Sequence, residues 1–235
     1  MNVTFESGGH SIPASIFAPS TAANGGLIIL AYGSDGLVDN ANGPWKTMIE
    51  RYAVALAADG FVAAIPDYFA RTGTSPGDLN PANPAGYLEQ VHAHRVTWQI
   101  TLEDAASELA KPALLPGIDA SRIGFLGFSL GGHLCARATR AVRALVVFFA
   151  PRFDGLVLSG TLFLKAEIHH GANDFLNYST NAVPVAQELT SHGADCHLWP
   201  AYPGAVHGFV GYDVANSDAR RVSKERTIDF FGRHL

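Results

Sequence analysis

Residues 127–132 read Gly-Phe-Ser-Leu-Gly-Gly, and a serine set between glycines in this spacing points to nucleophilic attack on a carbonyl carbon. Just before it, Ser-Arg-Ile-Gly-Phe-Leu is a short apolar run that reads as a buried strand; just after it, Gly-His-Leu-Cys-Ala-Arg-Ala-Thr reads as a helix. A turn from strand to helix this sharp exposes the serine hydroxyl at the carboxyl end of a sheet, and glycines on either side give the backbone room. With 24 glycines in 235 residues the pattern is weak by itself. Its placement between strand and helix, and the residues downstream, make Ser129 the candidate nucleophile.

A serine hydroxyl needs a base to take its proton and an acid to orient that base. On this type of turn the order along the chain is Ser, then Asp or Glu, then His. Residues 160–168 read as a strand running into His-His-Gly-Ala-Asn-Asp, which puts Asp174 in a polar loop at the strand's carboxyl end. A helix over about 178–192 and a short strand, Asp-Cys-His-Leu-Trp, then lead to a loop that carries His207. Asp154, after an expected strand at 143–149, is the rival acid; loop position and spacing favour Asp174. There are ten histidines, so His207 is chosen by elimination and by its loop. His197 falls within a strand pattern, His192 stands beside a helix-ending glycine, and His234 is expected at a frayed terminus.

The oxyanion formed by such an attack needs two donors. The backbone amide of Leu130, at the start of the helix after the serine, is one candidate. The amide of Ser34 is the other, in the glycine-rich turn Tyr-Gly-Ser-Asp-Gly after an expected strand at 26–31. An ordinary loop before a helix is the alternative reading of that turn.

Over most of its length the chain resembles the dienelactone hydrolase family of α/β-hydrolases. The likeness rests on the opening Ser-Gly-Gly-His-Ser-Ile-Pro-Ala-Ser-Ile-Phe-Ala-Pro, on Pro66-Asp-Tyr-Phe-Ala-Arg71, and on Gly-Phe-Ser-Leu-Gly-Gly, Gly-Ala-Asn-Asp and Val-His-Gly-Phe. It implies an α/β-hydrolase fold without a separate cap domain, Ser129, Asp174 and His207 as the triad, and Ser34 with Leu130 as the oxyanion hole. It also implies a carboxylic ester hydrolase acting on an ester or lactone, with no metal or organic cofactor.

Three positions depart from that family's namesake. Ser129 stands where the namesake has a cysteine, Gly33 where it has a glutamate that readies the cysteine, and Gly211 where a second arginine helps to hold the substrate's carboxylate. Arg71 matches the first arginine and can hold an anionic group. A solvent-facing arginine on a loop fits equally, and both readings stay open.

The rest of the chain supplies what must position these groups. Apolar runs alternate with helical patterns from about residue 26, which predicts a mostly parallel sheet covered on both faces. The run 45–60 reads as a helix closed by glycine and leads into a strand at 61–65. The stretch 67–94, rich in Gly, Pro and Asn, is expected to be irregular, and it reads either as a border of the pocket mouth or as an ordinary surface excursion. No composition shift marks a second domain, so one domain over 1–235 is expected. A net charge of −5 gives no basic face for nucleic acid or an anionic membrane. The spacing His92-x-His94 alone does not make a metal site. With two cysteines there is no disulfide framework, and Cys135 reads as a small buried residue. No leader or membrane-spanning pattern is visible, and a cytoplasmic location is the expectation; a homodimer is left open. Two further classes share the motif: a serine peptidase or amidase, and a non-catalytic relative that binds a ligand.

Overall fold

A computed structural model describes residues 1–79, 83–139 and 142–235. Eight strands form one sheet in the order β1-β2-β6-β3-β7-β8-β9-β10. In chain order, β1 (Asn2–Ser7) and β2 (His10–Phe17) make an antiparallel hairpin, and β3 (Leu27–Ala31) begins the parallel part. A two-residue pair, β4 (Asp39–Asn40) and β5 (Gly43–Pro44), stands outside the sheet before helix α1 (Trp45–Ala58). Then come β6 (Val62–Pro66), α2 (Pro84–Leu109), β7 (Ile123–Phe128), α3 (Leu130–Arg137) and β8 (Ala144–Phe148). The chain closes with β9 (Lys165–His169), α4 (Ala182–Ser191), β10 (Asp195–Leu198) and α5 (Val214–His234). Among the described residues, no helix is long and apolar enough to cross a membrane.

Composition explains the layering. Every residue of β3, β6, β7 and β8 is buried, and each of these strands is an unbroken apolar run, as required when helices cover both faces. The β1–β2 hairpin alternates buried and exposed positions, as an outer antiparallel pair does. Side chains alternate across a strand, and β7 shows what each face meets. A Cβ placed at Gly124 would meet Phe231 of α5, whereas one at Gly127 would meet the backbone of Gly131 and Gly132 in α3. Helices α3 and α5 therefore cover opposite faces.

The topology also places a crevice. From β3 the chain steps outward to β6, then crosses back through α2 to β7 on the other side of β3, and continues outward through β8, β9 and β10. Connections leaving the carboxyl ends of β3 and β7 thus diverge, and the gap between them is where parallel α/β sheets bind ligands.

Some boundaries differ from expectation. The strand expected at 160–168 forms only at Lys165–His169, and the region expected to be irregular to residue 94 is helical from Pro84. Asn83 caps α2 through its side chain, which accepts the Gly86 N–H at 3.3 Å, with Pro84 in the first helical position, where a missing N–H costs nothing. His234 is the last residue of α5, where its ring packs on Phe230 at 4.8 Å.

Helix α3 runs against the sheet with almost no space between them. A Cβ at Gly131 would stand 2.3 Å from the carbonyl oxygens of both Ala31 and Tyr32. Backbone cannot yield as a side-chain tip can, so Gly131→Ala is expected to destabilise the fold by about 3 kcal/mol or more, read as a drop in urea midpoint. The same helix buries His133 completely, against Phe153 at 4.8 Å. Burial, aided by Arg137 and Arg95, pushes the His133 imidazole down from 6.5 to about 3. Between those pH values unfolding takes up a proton, so stability falls as pH drops from 6.5 toward 3. Burial likewise lowers His169 and His170, with the same sign. Replacing His133 by Leu should therefore flatten the acid side of the stability curve by up to about 1.4 kcal/mol per pH unit, measured by denaturant titration across pH 4–6.

Candidate active site

Ser129 sits between the end of β7 and the first residue of α3, with φ 52° and ψ −119°. An L-residue pays strain in that region, and surrounding bonds hold it there. The Ser129 N–H donates to the Phe148 carbonyl at 3.0 Å, and its own carbonyl accepts the His133 N–H at 3.1 Å. The backbone is thus pinned from β8 on one side and from α3 on the other, leaving the hydroxyl to point elsewhere.

That hydroxyl lies 3.1 Å from His207 Nε2, and His207 Nδ1 lies 2.9 and 3.0 Å from the two carboxylate oxygens of Asp174. The carboxylate fixes the tautomer: Nδ1 donates to Asp174, which leaves Nε2 to accept the Ser129 O–H. The Asp174 side chain is fully buried, that of His207 14% exposed. Asp174 also accepts the Leu176 N–H at 2.8 Å, which holds the loop around the acid. The imidazole is packed between Phe149, at 4.8 Å, and Phe175, at 4.6 Å. Phe149 itself has φ 38°, and Phe209, two residues after His207, has φ 52°, so unusual backbone clusters around this line.

The acid and base loops continue the parallel pairing of β9 and β10. Tyr202 N–H donates to the His170 carbonyl, Ala172 N–H to the Tyr202 carbonyl and Asn173 N–H to the Ala205 carbonyl, each at 2.9 Å. Helix α5 then holds the base loop from outside. Buried Asn216 accepts the Val206 N–H at 3.0 Å, and Arg220 donates to the carbonyls of Gly211 (2.7 Å) and Phe209. Behind the loops, His169 lies 2.8 Å from Glu167 and 2.9 Å from the Tyr202 hydroxyl, which accepts from Arg226 at 3.0 Å. Tyr202, Asn216 and Arg220 carry no motif, and nothing in the sequence pattern marks them.

The expected oxyanion residues flank the same serine. Leu130 opens α3, so its N–H belongs to the first turn, where helical N–H groups have no partner in the helix. Ser34 is buried, and the loop before it touches the nucleophile: a Cβ at Gly33 would lie 3.2 Å from Ser129 Cβ and 3.8 Å from its hydroxyl oxygen. A cleft of about 650 Å³ opens beside this group, walled by Trp45, Met48, Tyr87, Phe149, Phe153 and Phe175 among others. Burial pushes the Tyr87 hydroxyl up to about 12, with the Ser34 side chain hydrogen-bonded to it.

Other candidates lie elsewhere. Asp154 pairs with Arg95 in a two-pronged contact, one prong at 2.8 Å, and that guanidinium holds its carboxyl far below the usual range. Arg71 does not line the cleft. Its guanidinium donates to Ser7 at 2.9 Å and lies 3.7 Å from Asp104, joining the β1–β2 turn to α2. Of the two readings left open for Arg71, contact with an anionic substrate group does not match this placement, since Ser7 and Asp104 supply the acceptor and anion it would otherwise seek in a ligand. Cys135 is buried, and burial alone pushes its thiol up. His92 and His94 lie on α2, the latter against Trp98 at 5.5 Å.

Sheet order, the sharp turn at Ser129 and the two loops define an α/β-hydrolase. The family model of the dienelactone hydrolase family matches residues 37–235, and the chain belongs to that family. Membership makes it a hydrolase of the ester-cleaving kind. No curated protein matches the sequence. Among solved structures it is similar to a protein assigned as a dienelactone hydrolase from Klebsiella pneumoniae subsp. pneumoniae, at 21% identity and TM-score 0.74, covering 100% of this chain and 99% of that one. It is also similar to a dienelactone hydrolase-like promiscuous phosphotriesterase from metagenomic libraries, at 20% identity and TM-score 0.75, covering 100% and 97%. A third is Thermogutta terrifontis esterase 2 phosphorylated by paraoxon, at 17% identity and TM-score 0.69, covering 97% and 93%. At these identities the likeness speaks for the fold.

The contact between the acid and base loops leaves no room at Gly171, where a Cβ would lie 2.3 Å from the Ala205 carbonyl oxygen. Gly171→Ala must part the two loops, and if Asp174 and His207 act as acid and base, a shift of about 1 Å between them can cost about a hundredfold in rate. Ester hydrolysis is expected to fall by that order, while circular dichroism still shows the native fold.

Proposed function

We propose that the chain is a serine hydrolase that cleaves ester or lactone bonds of small molecules through an acyl-enzyme. The observation that carries this reading is the hydrogen-bonded line Ser129–His207–Asp174 at the wall of an apolar cleft. His207 Nε2 takes the hydroxyl proton as Ser129 Oγ bonds to the carbonyl carbon. The Asp174 carboxylate steadies the imidazolium that results. The negative charge moves to the carbonyl oxygen, where the amides of Leu130 and Ser34 receive it, at about 3 kcal/mol of transition-state stabilisation per donor. Collapse of the tetrahedral centre breaks the bond to the alcohol oxygen, which leaves with the proton from His207. Water then gives its proton to His207 and attacks the acyl-enzyme; the second collapse restores the Ser129 hydroxyl and frees the acid. In a lactone the alcohol and acid remain one molecule, which leaves ring-opened. These steps use only side chains and backbone amides of this chain.

Short-chain p-nitrophenyl esters test the reading. Ser129→Ala should lower kcat by about 10⁴-fold or more, and Asp174→Asn by about 10³–10⁴-fold through loss of the correct imidazole tautomer. Paraoxon should add one diethylphosphoryl group to the wild type and none to Ser129→Ala, read by intact-protein mass spectrometry. Turnover or phosphorylation that survives the loss of Ser129 would place the nucleophile elsewhere.

A further inference from the structure

The cleft beside Ser129 has a charge pattern as well as a shape. Among the described residues no lysine or arginine lines it. Its one lining carboxylate is Asp35, half-buried, directly after Ser34. Asp35 Oδ1 accepts from the side-chain amides of Asn40 at 3.1 Å and Asn42 at 3.0 Å, which fix the group in place without cancelling its charge. The cations next to lining residues are engaged elsewhere, Arg152, between Pro151 and Phe153, with Glu188, Lys46, after Trp45, 4.0 Å from Glu50, and Arg220 with the carbonyls of Phe209 and Gly211. A ligand here meets aromatic and aliphatic walls and one fixed negative charge, at the end where its carbonyl must reach Ser34.

Resting on the hydrolase reading above, we infer that the cleft takes uncharged, apolar esters or lactones, and that Asp35 is the specificity-determining residue that turns away substrates carrying a carboxylate. A carboxylate entering the cleft gives up hydration and gains no cation in return. It also meets a like charge; at a separation of about 8 Å and an effective dielectric near 30, that repulsion is worth about a factor of ten in binding. A neutral ester of the same length meets neither obstacle and buries its chain against Trp45, Phe153 and Phe175. Gly211 acts in the same direction, since that position, next to the lining residue Val210, adds no cation.

The test uses two p-nitrophenyl esters of adipic acid that differ only at the far end, one a free carboxylate and one its methyl ester, with the full-length wild type, Asp35→Asn and Arg71→Gln. In the wild type at low ionic strength, kcat/KM should favour the neutral ester by about tenfold or more. Asp35→Asn should reduce that ratio at least about threefold. Half-molar salt should reduce it in the wild type and leave it unmoved in Asp35→Asn, because salt screens a partly exposed charge. Arg71→Gln should leave the ratio as it is in the wild type. A wild type that prefers the anion, a ratio untouched by Asp35→Asn, or a selective loss of the anionic ester in Arg71→Gln overturns the inference. Should Asp35→Asn not fold, a ratio insensitive to salt in the wild type overturns it as well. If the wild type cleaves neither ester, the hydrolase reading falls and this inference with it.

Discussion

The site depends first on a contact between backbones. Helix α3 leaves β7 so abruptly that Gly131 rests on the carbonyls of Ala31 and Tyr32, and Gly127 on Gly131 itself. No side chain could be interposed there, and the positive φ of Ser129 follows from the same geometry. Three properties arise together from that contact. The serine hydroxyl is lifted clear of the sheet, the first N–H groups of α3 are brought to the crevice between β3 and β7, and the loop after β3 is pressed against the nucleophile. The proposed nucleophile, the proposed electrostatic sink for its oxyanion and a floor for the substrate thus share one structural cause.

The other half of the site is built by continuing a sheet beyond its strands. β9 and β10 pair in parallel from Lys165 and Asp195, and parallel pairing resumes, shifted by one residue, at Gly171 and Tyr202 after both strands have ended. The loops carrying Asp174 and His207 are therefore joined by backbone bonds beyond the strands, and Asn216 and Arg220 of α5 stop the His207 loop from lifting away. The pairing of His169, Tyr202 and Arg226 behind that register, with Arg226 stacked 3.5 Å over Trp199, gives the loop a polar backing inside the core. Such a network is rigid when its members are satisfied, and rigidity is what an oriented imidazole requires.

What could be read from the chain, and what could not, follows from how local each signal is. Ser129 and the elements on either side of it are encoded within a dozen residues, by glycine spacing and by an apolar run that needs no partner to be recognised. That Asp174 and His207 meet Ser129 could be expected from the order of residue types along the chain and from their loops, His207 by elimination among ten histidines. The start of α2 was not: Pro84, Ala85 and Gly86 have the composition of a loop, and only the cap supplied by Asn83 and the packing of Trp98 make them a helix. The orientation of Arg71 was beyond local reading for a similar reason. Its partners, Ser7 and Asp104, lie 64 and 33 residues away, on elements whose proximity exists only in the folded sheet.

Replacement of a cysteine by Ser129 and of a glutamate by Gly33, relative to the family's namesake, makes physical sense as one change. Position 33 touches the nucleophile, so a carboxylate there would put negative charge next to the centre at which negative charge develops. A thiol can gain from such a neighbour as a proton acceptor, because its proton leaves easily and thiolate attack is fast. In the proposed mechanism the Ser129 hydroxyl does not lose its proton ahead of attack; it passes it to His207 as the new bond forms. With the proton already provided for, a carboxylate at 33 would add only repulsion to the tetrahedral oxyanion. Glycine removes that repulsion and keeps the loop close enough for the Ser34 amide to serve. The charge that remains in the cleft, on Asp35, is one residue beyond that donor, where it meets the substrate's substituents instead of its reacting carbonyl.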